Sequence, residues 1–188
     1  MMKINEYDRI VMILGFREVK IDDVNDFLNR IRRRLAPMSI QLFDADYVAG
    51  RLHLFLASLN ALKAFKQGQN ISGTLEVESL LYASGQRQIS RAIEMVGLRP
   101  NTSKIAALIF LSSEREAREA EEETSKLIPR IRDERVLKAK DEEKIQKLIE
   151  TFGITKLELE TVKRNKEGIG EALTKVIIER SALLATKC

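Results

Sequence analysis

Three short apolar runs most constrain the fold of this 188-residue chain. They occupy residues 8–19, 38–43 and 104–111, and their length and bounding turn residues predict buried β-strands. A fourth segment, at residues 135–139, predicts an edge strand. Elsewhere apolar residues recur at three- and four-residue steps, which indicates helices with one buried face. We therefore expect one α/β domain of the α+β type, with a small, mostly antiparallel sheet of about four strands packed against six to eight helices.

The expected helices are bounded by residues that commonly stop a helix. Pro37 ends the first, Gly68 ends the long second helix and Gly153 ends the sixth. Neither an internal repeat nor a domain-scale linker interrupts the pattern, so residues 1–188 are expected to form a single domain. The expected helices span residues 22–35, 47–66, 75–84, 86–96, 113–128, 141–152, 155–163 and 170–186.

A single histidine, His53, and a single cysteine, Cys188, limit the chemistry open to the chain. Zinc sites need several such ligands, a cysteine nucleophile needs a neighbouring base, and disulfides need cysteine pairs. We therefore expect no metal, no cofactor and a reducing, cytoplasmic location. Asp44 and Asp46 share one turn, where they are expected to cap backbone groups, and a free-standing enzyme would have to use them. No apolar run has the length of a membrane span or of a signal peptide.

The charge of the chain is unevenly distributed. The net charge is +4, from 32 basic and 28 acidic residues, and between residues 46 and 104 seven basic residues face four acidic ones. A phosphate-bearing partner is therefore expected to meet the middle of the chain. Arg32, Arg33 and Arg34 crowd the end of the first helix, where they either complement the helix dipole or contact phosphate.

Two short predicted helices meet at a corner formed by Ser84 and Gly85. We expect the second helix to bury Ile89, Ala92, Ile93 and Val96 and to leave its arginines outside. Backbone N–H groups in the first turn of a helix have no partner within it, so residues 84–86 could present them to an anion. In the alternative interpretation Ser84 caps its own helix, Gly85 makes the turn and the following arginine pairs with a carboxylate.

The corner carries a resemblance to a known family. The run 80–89, which reads LLYASGQRQI, followed by Ala92, Ile93 and Gly97, resembles the signature of the PRPK-binding-protein family. This family is the small accessory subunit of the KEOPS (EKC) complex in archaea and eukaryotes. Residues 43–49 with His53, and residues 178–184, also agree with the family, whereas residues 113–166 are less typical. The resemblance covers most of the chain and is closest to the archaeal type.

The resemblance implies a non-catalytic role in making threonylcarbamoyl-adenosine beside the tRNA anticodon. It implies docking on the kinase-like ATPase of the complex, through it a link to the catalytic subunit, and, for the archaeal type, binding of the tRNA 3′ CCA end. The isolated chain is expected to be monomeric. The main candidate RNA contacts are Ser84, Gly85, Gln86, Arg87, Gln88 and Arg91, with Arg51, His53 and Lys63 as secondary candidates.

The last helix is the candidate docking surface for the kinase-like partner, because its apolar residues exceed what one buried face needs. In the competing interpretation this helix completes the core of the subunit itself. A chain that only binds and regulates the kinase, without touching RNA, is the alternative function. The candidate partner contacts are Val176, Ile177, Arg180, Leu183 and Leu184, together with the tail that follows them.

Overall fold

A five-stranded sheet forms the centre of the molecule in the computed structural model, which describes residues 1–128, 131–164 and 167–184. The strands follow the order β1-β2-β4-β3, and β5 pairs with the end of β2. Each of these pairings is antiparallel, as expected. The strands are β1 (Met2–Ile4), β2 (Arg9–Arg17), β3 (Ser39–Asp44), β4 (Lys104–Leu111) and β5 (Ile131–Arg132).

The three main predicted strands are confirmed, but the predicted edge strand at 135–139 is wrong. A 3₁₀-helix occupies Glu134–Leu137 instead. Its cause is local, because the Asp133 side chain accepts a hydrogen bond from the Arg135 N–H at 3.0 Å and turns the chain away from the sheet. The edge pairing lies just before this turn, where β5 pairs with Phe16 and Arg17 of β2. Strand β1 was not predicted.

Eight α-helices cover the two faces of the sheet within the described residues, as expected. Two of them begin three or four residues later than predicted: a 3₁₀-turn at Ala45–Tyr47 delays the long second helix, and the fourth starts at Ile89. The helices are α1 (Val24–Leu35), α2 (Arg51–Gln67), α3 (Leu75–Ser84), α4 (Ile89–Val96), α5 (Glu114–Leu127), α6 (Glu142–Phe152), α7 (Lys156–Val162) and α8 (Ile169–Leu183). None of these helices is long and apolar enough to cross a membrane.

The alternation of side chains along β2 divides the core into two layers. Val11 and Ile13 pack under α2, α3, α4, α6 and α8, whereas Met12 and Leu14 pack under α1 and α5. The candidate residues of the corner and of the last helix therefore lie on one face of the sheet. Arg32, Arg33 and Arg34 lie on the other, in the last turn of α1, where Arg34 pairs with Glu123 of α5 at 2.6 Å.

Helix α8 is the element that joins the two candidate sites, because it packs against α2, α3, α6 and α7. Near its amino end, the Thr174 hydroxyl donates to the Ala49 carbonyl at 2.8 Å, just before α2. Its carboxyl end lies against the corner between α3 and α4, where the Arg180 carbonyl is close to Gly85. Residues 185–188, including Cys188 and the tail named as a candidate partner contact, lie outside the described residues.

Candidate functional site

The corner is made by the carboxyl terminus of α3. Gly85 adopts a left-handed conformation with φ of 65°, and its N–H donates to the Tyr82 carbonyl at 3.2 Å. The Gln86 N–H donates to the Leu81 carbonyl at 3.1 Å, which completes a Schellman-type cap. These two N–H groups are therefore used within the fold, and the prediction that residues 84–86 present them to an anion is wrong.

Ser84 is buried at the last position of α3. Its hydroxyl donates back to the carbonyls of Leu80 and Leu81 at 3.0 Å, so it neither caps the following helix nor offers a free donor. The open helix start lies further along the chain. Helix α4 begins at Ile89, and its N-cap residue, Gln88, makes no side-chain cap bond among the described residues. The N–H groups that could meet an anion are thus those of residues 89–91.

Helix α4 exposes part of the apolar face that its sequence predicts to be buried. Ala92 and Val96 lie in the core, but Ile89 and Ile93 are 45% and 49% exposed. Only one edge of this short helix reaches the core, so the isoleucines stay at the surface, four residues apart on the same side. Arg91 is exposed on the same helix. Helix α4 therefore offers apolar side chains and positive charge next to its open amino terminus.

A groove of about 590 Å³ runs beside this helix. It is bounded by the corner, by α4, by the end of α6 and by the end of α8. Candidates for RNA contact and for partner contact thus line the same depression, although the sequence separates them by almost one hundred residues. We call it the corner groove and define it by Gln86, Arg91, Met95, Arg180 and Leu183.

Arg180, a candidate partner contact, is largely engaged by its own chain. Its guanidinium donates to the backbone carbonyls of Phe152 and Gly153 at the end of α6, and it pairs with Glu158 of α7 at 2.6 Å. The orphan carbonyls at a helix carboxyl terminus favour a cation, so Arg180 caps α6. The Thr155 N–H and Arg180 together lower the pKa of Glu158 to about 2.

Three other candidate partner contacts are buried. Val176, Ile177 and Leu184 belong to the core beneath α8, so the structure corrects their assignment as surface contacts and supports the competing interpretation. Leu183 differs, because it is 52% exposed and lines the corner groove. The spacing of apolar residues did not distinguish these positions, since α8 is packed by several neighbouring elements and buries a wide face.

His53 is fully buried, which corrects its assignment as a wall of an RNA pocket. Its Nε2 donates to the Ala83 carbonyl at 2.8 Å, and its Nδ1 accepts from the Ala49 N–H at 3.2 Å. The carbonyl can only accept, so Nε2 carries the proton. Burial, with a smaller contribution from the positive charge of Lys144, lowers the pKa of His53 to about 4. His53 is therefore a neutral brace, by which we mean that its two hydrogen bonds join the start of α2 to the end of α3, next to the corner.

The other secondary RNA candidates lie on α2 and do not line the corner groove. The Arg51 guanidinium donates to the Ile13 carbonyl at 2.8 Å and pairs with Glu134, which ties α2 to the sheet and to the 3₁₀-helix. Lys63 is exposed three turns further along the same helix, about 18 Å from Arg51 along its axis. The structure therefore does not bring these two residues together with the corner.

Asp44 and Asp46 act as structural ties. Asp44 accepts from the Asp46 N–H at 3.0 Å, in the turn that the sequence predicts, and from the Thr102 hydroxyl at 2.7 Å. Asp46 accepts from Lys104 and Lys147, both at 2.9 Å. Burial opposes ionisation of Asp46, but these two lysines hold its pKa below the ordinary value. Among the described residues, no three histidine, cysteine or acidic side chains cluster in a way that could hold a metal ion.

The comparison with protein families agrees with the resemblance carried by the corner motif. The family model described as "Kinase binding protein CGI-121" matches residues 16–185. A comparison with curated proteins found no match. The chain belongs to the CGI-121 family of kinase-binding proteins, the non-catalytic subunit of KEOPS. The family resemblance expected from the corner and from the terminal helix is thereby confirmed.

Proposed function

We propose that this subunit binds the 3′ CCA end of tRNA in the corner groove and so supports threonylcarbamoyl-adenosine modification by the KEOPS complex. The observation that carries the proposal is the composition of α4. Its open amino terminus, its exposed arginine and its two exposed isoleucines lie on one helix beside a groove. A single-stranded RNA end needs this combination, because it presents phosphate and unstacked bases together.

The phosphate would be held by backbone and guanidinium groups. The N–H groups of residues 89–91 point out of the first turn of α4, where the helix dipole adds positive potential. Arg87 and Arg91 are exposed around this turn and supply full charges. The amides of Gln86 and Gln88 are close in sequence and can donate to or accept from base edges. The anion contact in this proposal is thus centred on residues 87–91.

The terminal bases would pack on aliphatic side chains. Aromatic residues make up only 5% of the chain, and no aromatic side chain among the described residues is fully exposed at the corner. Ile89 and Ile93 offer apolar surface outside the groove, and Met95 and Leu183 offer it inside. A volume of about 590 Å³ falls within the usual range for a ligand site. A paired RNA end would not expose its base faces to these residues.

The test is tRNA binding by the isolated chain, measured with the double variant Arg87→Glu/Arg91→Glu. We expect affinity to fall at least about tenfold and the salt dependence of binding to become shallower, because two phosphate contacts are lost. The matched control is Lys138→Glu/Lys140→Glu, which makes the same change of charge at two exposed lysines outside the corner groove. Both variants should keep the melting temperature of the wild type, and the control should lose much less affinity.

A second arm uses tRNA that lacks its 3′ CCA. We expect it to bind the wild type poorly and to show no further loss with the arginine double variant. Equal binding of the two tRNAs would contradict the proposal that the chain binds the CCA end. Undiminished binding by the double variant would show that the corner groove does not bind RNA. Lys63→Glu tests the secondary candidate on α2, where we expect a smaller effect because Lys63 does not line the groove.

A second candidate function is a protein-binding regulator of the kinase with no RNA contact of its own. The exposed isoleucines of α4 favour it, since apolar surface of this kind also suits a protein partner. Absence of tRNA binding by the isolated chain, with kinase binding intact, would support this alternative. In either case we propose a monomeric, cytoplasmic subunit of the archaeal type, on the basis of the corner motif and the single cysteine.

A further inference from the structure

We propose that the turn carrying Asp44 and Asp46 sets the width of the corner groove, because it ties two of the helices that border the groove to one point of the sheet. Helix α4 forms one wall of the corner groove, and the end of α6 forms another. The 3₁₀-turn at Ala45–Tyr47 packs against both helices. We call Asp44 and Asp46 the acidic clamp. Its effect on tRNA rests on the RNA-binding function proposed above.

The acidic clamp is itself fixed to the end of the sheet. Asp44 is the last residue of β3, and its carboxylate accepts from the Thr102 hydroxyl at 2.7 Å. Asp46 accepts from Lys104, the first residue of β4, at 2.9 Å. The two aspartate side chains are only 9% and 16% exposed, so salt screens their contacts less than it screens contacts at the surface. The clamp is therefore a fixed reference point for the neighbouring helices.

Arg99 ties α4 to the acidic clamp. Its guanidinium donates to the backbone carbonyls of Glu94 and Met95 in the last turn of α4, where a cation also complements the helix dipole. It forms an ion pair with Asp44 at 3.5 Å. The same guanidinium lies over the ring of Tyr47, 4.1 Å from its centre. Because Met95 lines the corner groove, this tie fixes the wall that α4 contributes.

Lys147 ties α6 to the same clamp. Its amine donates to the Asp46 carboxylate at 2.9 Å, from the middle of α6. Lys147 also pairs with Glu143 at 2.7 Å, but that carboxylate is 77% exposed and its pair is screened more strongly than the pair with Asp46. Lys144 lies near Asp46 as well, but its amine donates to a backbone carbonyl at 2.6 Å. Thr151, which lines the corner groove, lies one turn beyond Lys147 on the same face of α6, so this tie fixes the second wall.

A fixed distance between α4 and α6 favours binding of a flexible single strand. The strand loses conformational entropy when it binds, and a groove that is already ordered adds little to that loss. A site whose walls are displaced by about 1 Å loses affinity even when every contacting side chain is present. The clamp residues and their partners Arg99 and Lys147 do not line the groove within the described part of the chain. They are therefore positioning residues, which act on RNA through the walls.

The first measurement is the distance between α4 and α6 in the chain without RNA. Spin labels are placed at Glu94→Cys and Gln146→Cys in a Cys188→Ser background, since both labelled positions are exposed and lie outside the corner groove. For Lys147→Met we expect the distance to shift or its distribution to broaden by about 1 Å or more, because the tie to α6 is lost. Lys147→Arg should keep the wild-type distribution, because a guanidinium can bind the same carboxylate. A wild-type distribution for Lys147→Met overturns the proposal.

The second measurement is tRNA binding by the same variants without labels. For Lys147→Met we expect affinity to fall about fivefold, with an unchanged slope of affinity against salt concentration because no phosphate contact is lost. Arg99→Lys keeps the positive charge but cannot reproduce the bonds to two carbonyls and the aspartate, so we expect a loss of similar size. The matched control is Lys156→Met on α7, which removes the same charge from an exposed pair with Glu160 and should bind as the wild type does.

The two measurements distinguish failure of the clamp from failure of RNA binding. A changed distance with unchanged tRNA affinity in Lys147→Met would overturn the link between the clamp and RNA. A shallower salt dependence for Lys147→Met would show that the lysine contacts phosphate itself, which also overturns a positioning role. A wild type that binds no tRNA would contradict the proposed function, and the distance between the labels would still decide whether the clamp sets the width of the groove.

Discussion

The two ends of α8 are built in different ways, although both border a groove. At the carboxyl end, the most prominent polar side chain of the helix, Arg180, is engaged in capping α6. The charge of the corner groove therefore comes mainly from α4 and the residues before it. At the amino end, α8 has no capping side chain within the described residues, and the groove there is lined by Lys138 and Lys140 of another segment and by Glu171 of α8. One helix thus helps to shape two surfaces, and most of their basic side chains come from other elements.

The two ends also use glycine for different physical reasons. Gly170 permits a close approach, since a side chain there would meet the backbone of Ala139. Gly85 permits a left-handed turn, since its φ is 65° and the nearest atom to an added Cβ, the Arg180 carbonyl oxygen, is at an ordinary 3.6 Å. A steric contact therefore fixes the amino end of α8, whereas a backbone conformation fixes the corner. This difference can be tested by substitution.

The largest effect on stability is expected at the amino end, for Gly170→Ala. A Cβ at 1.8 Å from a backbone oxygen cannot be accommodated by moving a flexible side chain, so α8 must shift, at a cost of about 3 kcal/mol. The control is Gly168→Ala, two residues earlier, where nothing lies within 4 Å of an added Cβ. Urea unfolding should show the loss for Gly170→Ala alone. Equal stability of the two variants would show that the close contact does not fix this end of the helix.

The next largest effect on stability is expected for His53, whose two hydrogen bonds connect residues that lie near the two ends of α8. Its Nδ1 accepts from the N–H of Ala49, whose carbonyl is bound by Thr174 of α8, and its Nε2 donates to the carbonyl of Ala83, just before the corner. The folded protein holds the pKa of His53 at about 4, below the ordinary value of 6.5, so it favours the neutral ring. The resulting stabilisation is complete above pH 6.5 and is lost as the pH falls towards 4, because the unfolded chain then binds the additional proton.

The expected loss between pH 6.5 and pH 4 is up to about 3 kcal/mol in the free energy of unfolding. Urea unfolding across this range should show it, and His53→Gln should flatten the dependence whatever its own stability. Glu158 and Asp133 have pKa values lowered from the ordinary 4.5 and 3.8 to about 2, so their contributions are lost as the pH falls from the ordinary carboxylate values towards 2 and overlap little with the upper part of this window. A wild type that keeps constant stability from pH 6.5 to 5 would contradict the role of His53 as a neutral brace.

The elements that sequence predicted well are those with a strong local signal. Strands β2 and β4 are continuous apolar runs bounded by turn residues, and eight helices follow from spacing and from glycine and proline stops. The 3₁₀-helix at Glu134–Leu137 was missed because one aspartate cap outweighs the weak apolar pattern that indicated a strand. Strand β1 was missed because a three-residue strand gains its stability from its partner and carries almost no pattern of its own.

The corner between α3 and α4 was predicted from the sequence, but several of the candidate residues assigned to a surface are buried. Sequence places the turn at Gly85 correctly, yet it cannot tell which helix terminus uses the N–H groups around it, since that depends on where α4 begins. His53 could not be assigned to the core by spacing, because its burial depends on α3, thirty residues away.

The smallest effect is expected for Gly85→Ala at the corner. A non-glycine residue at φ of 65° costs about 1 kcal/mol, and the contact with Arg180 adds nothing at 3.6 Å. Gly68→Ala is the matched control, because its φ is 67° and nothing lies within 4 Å of an added Cβ. Urea unfolding should therefore give the same loss for both variants. A clearly larger loss for Gly85→Ala would mean that the end of α8 presses on the corner, and the two ends of the helix would then both be fixed by steric contact.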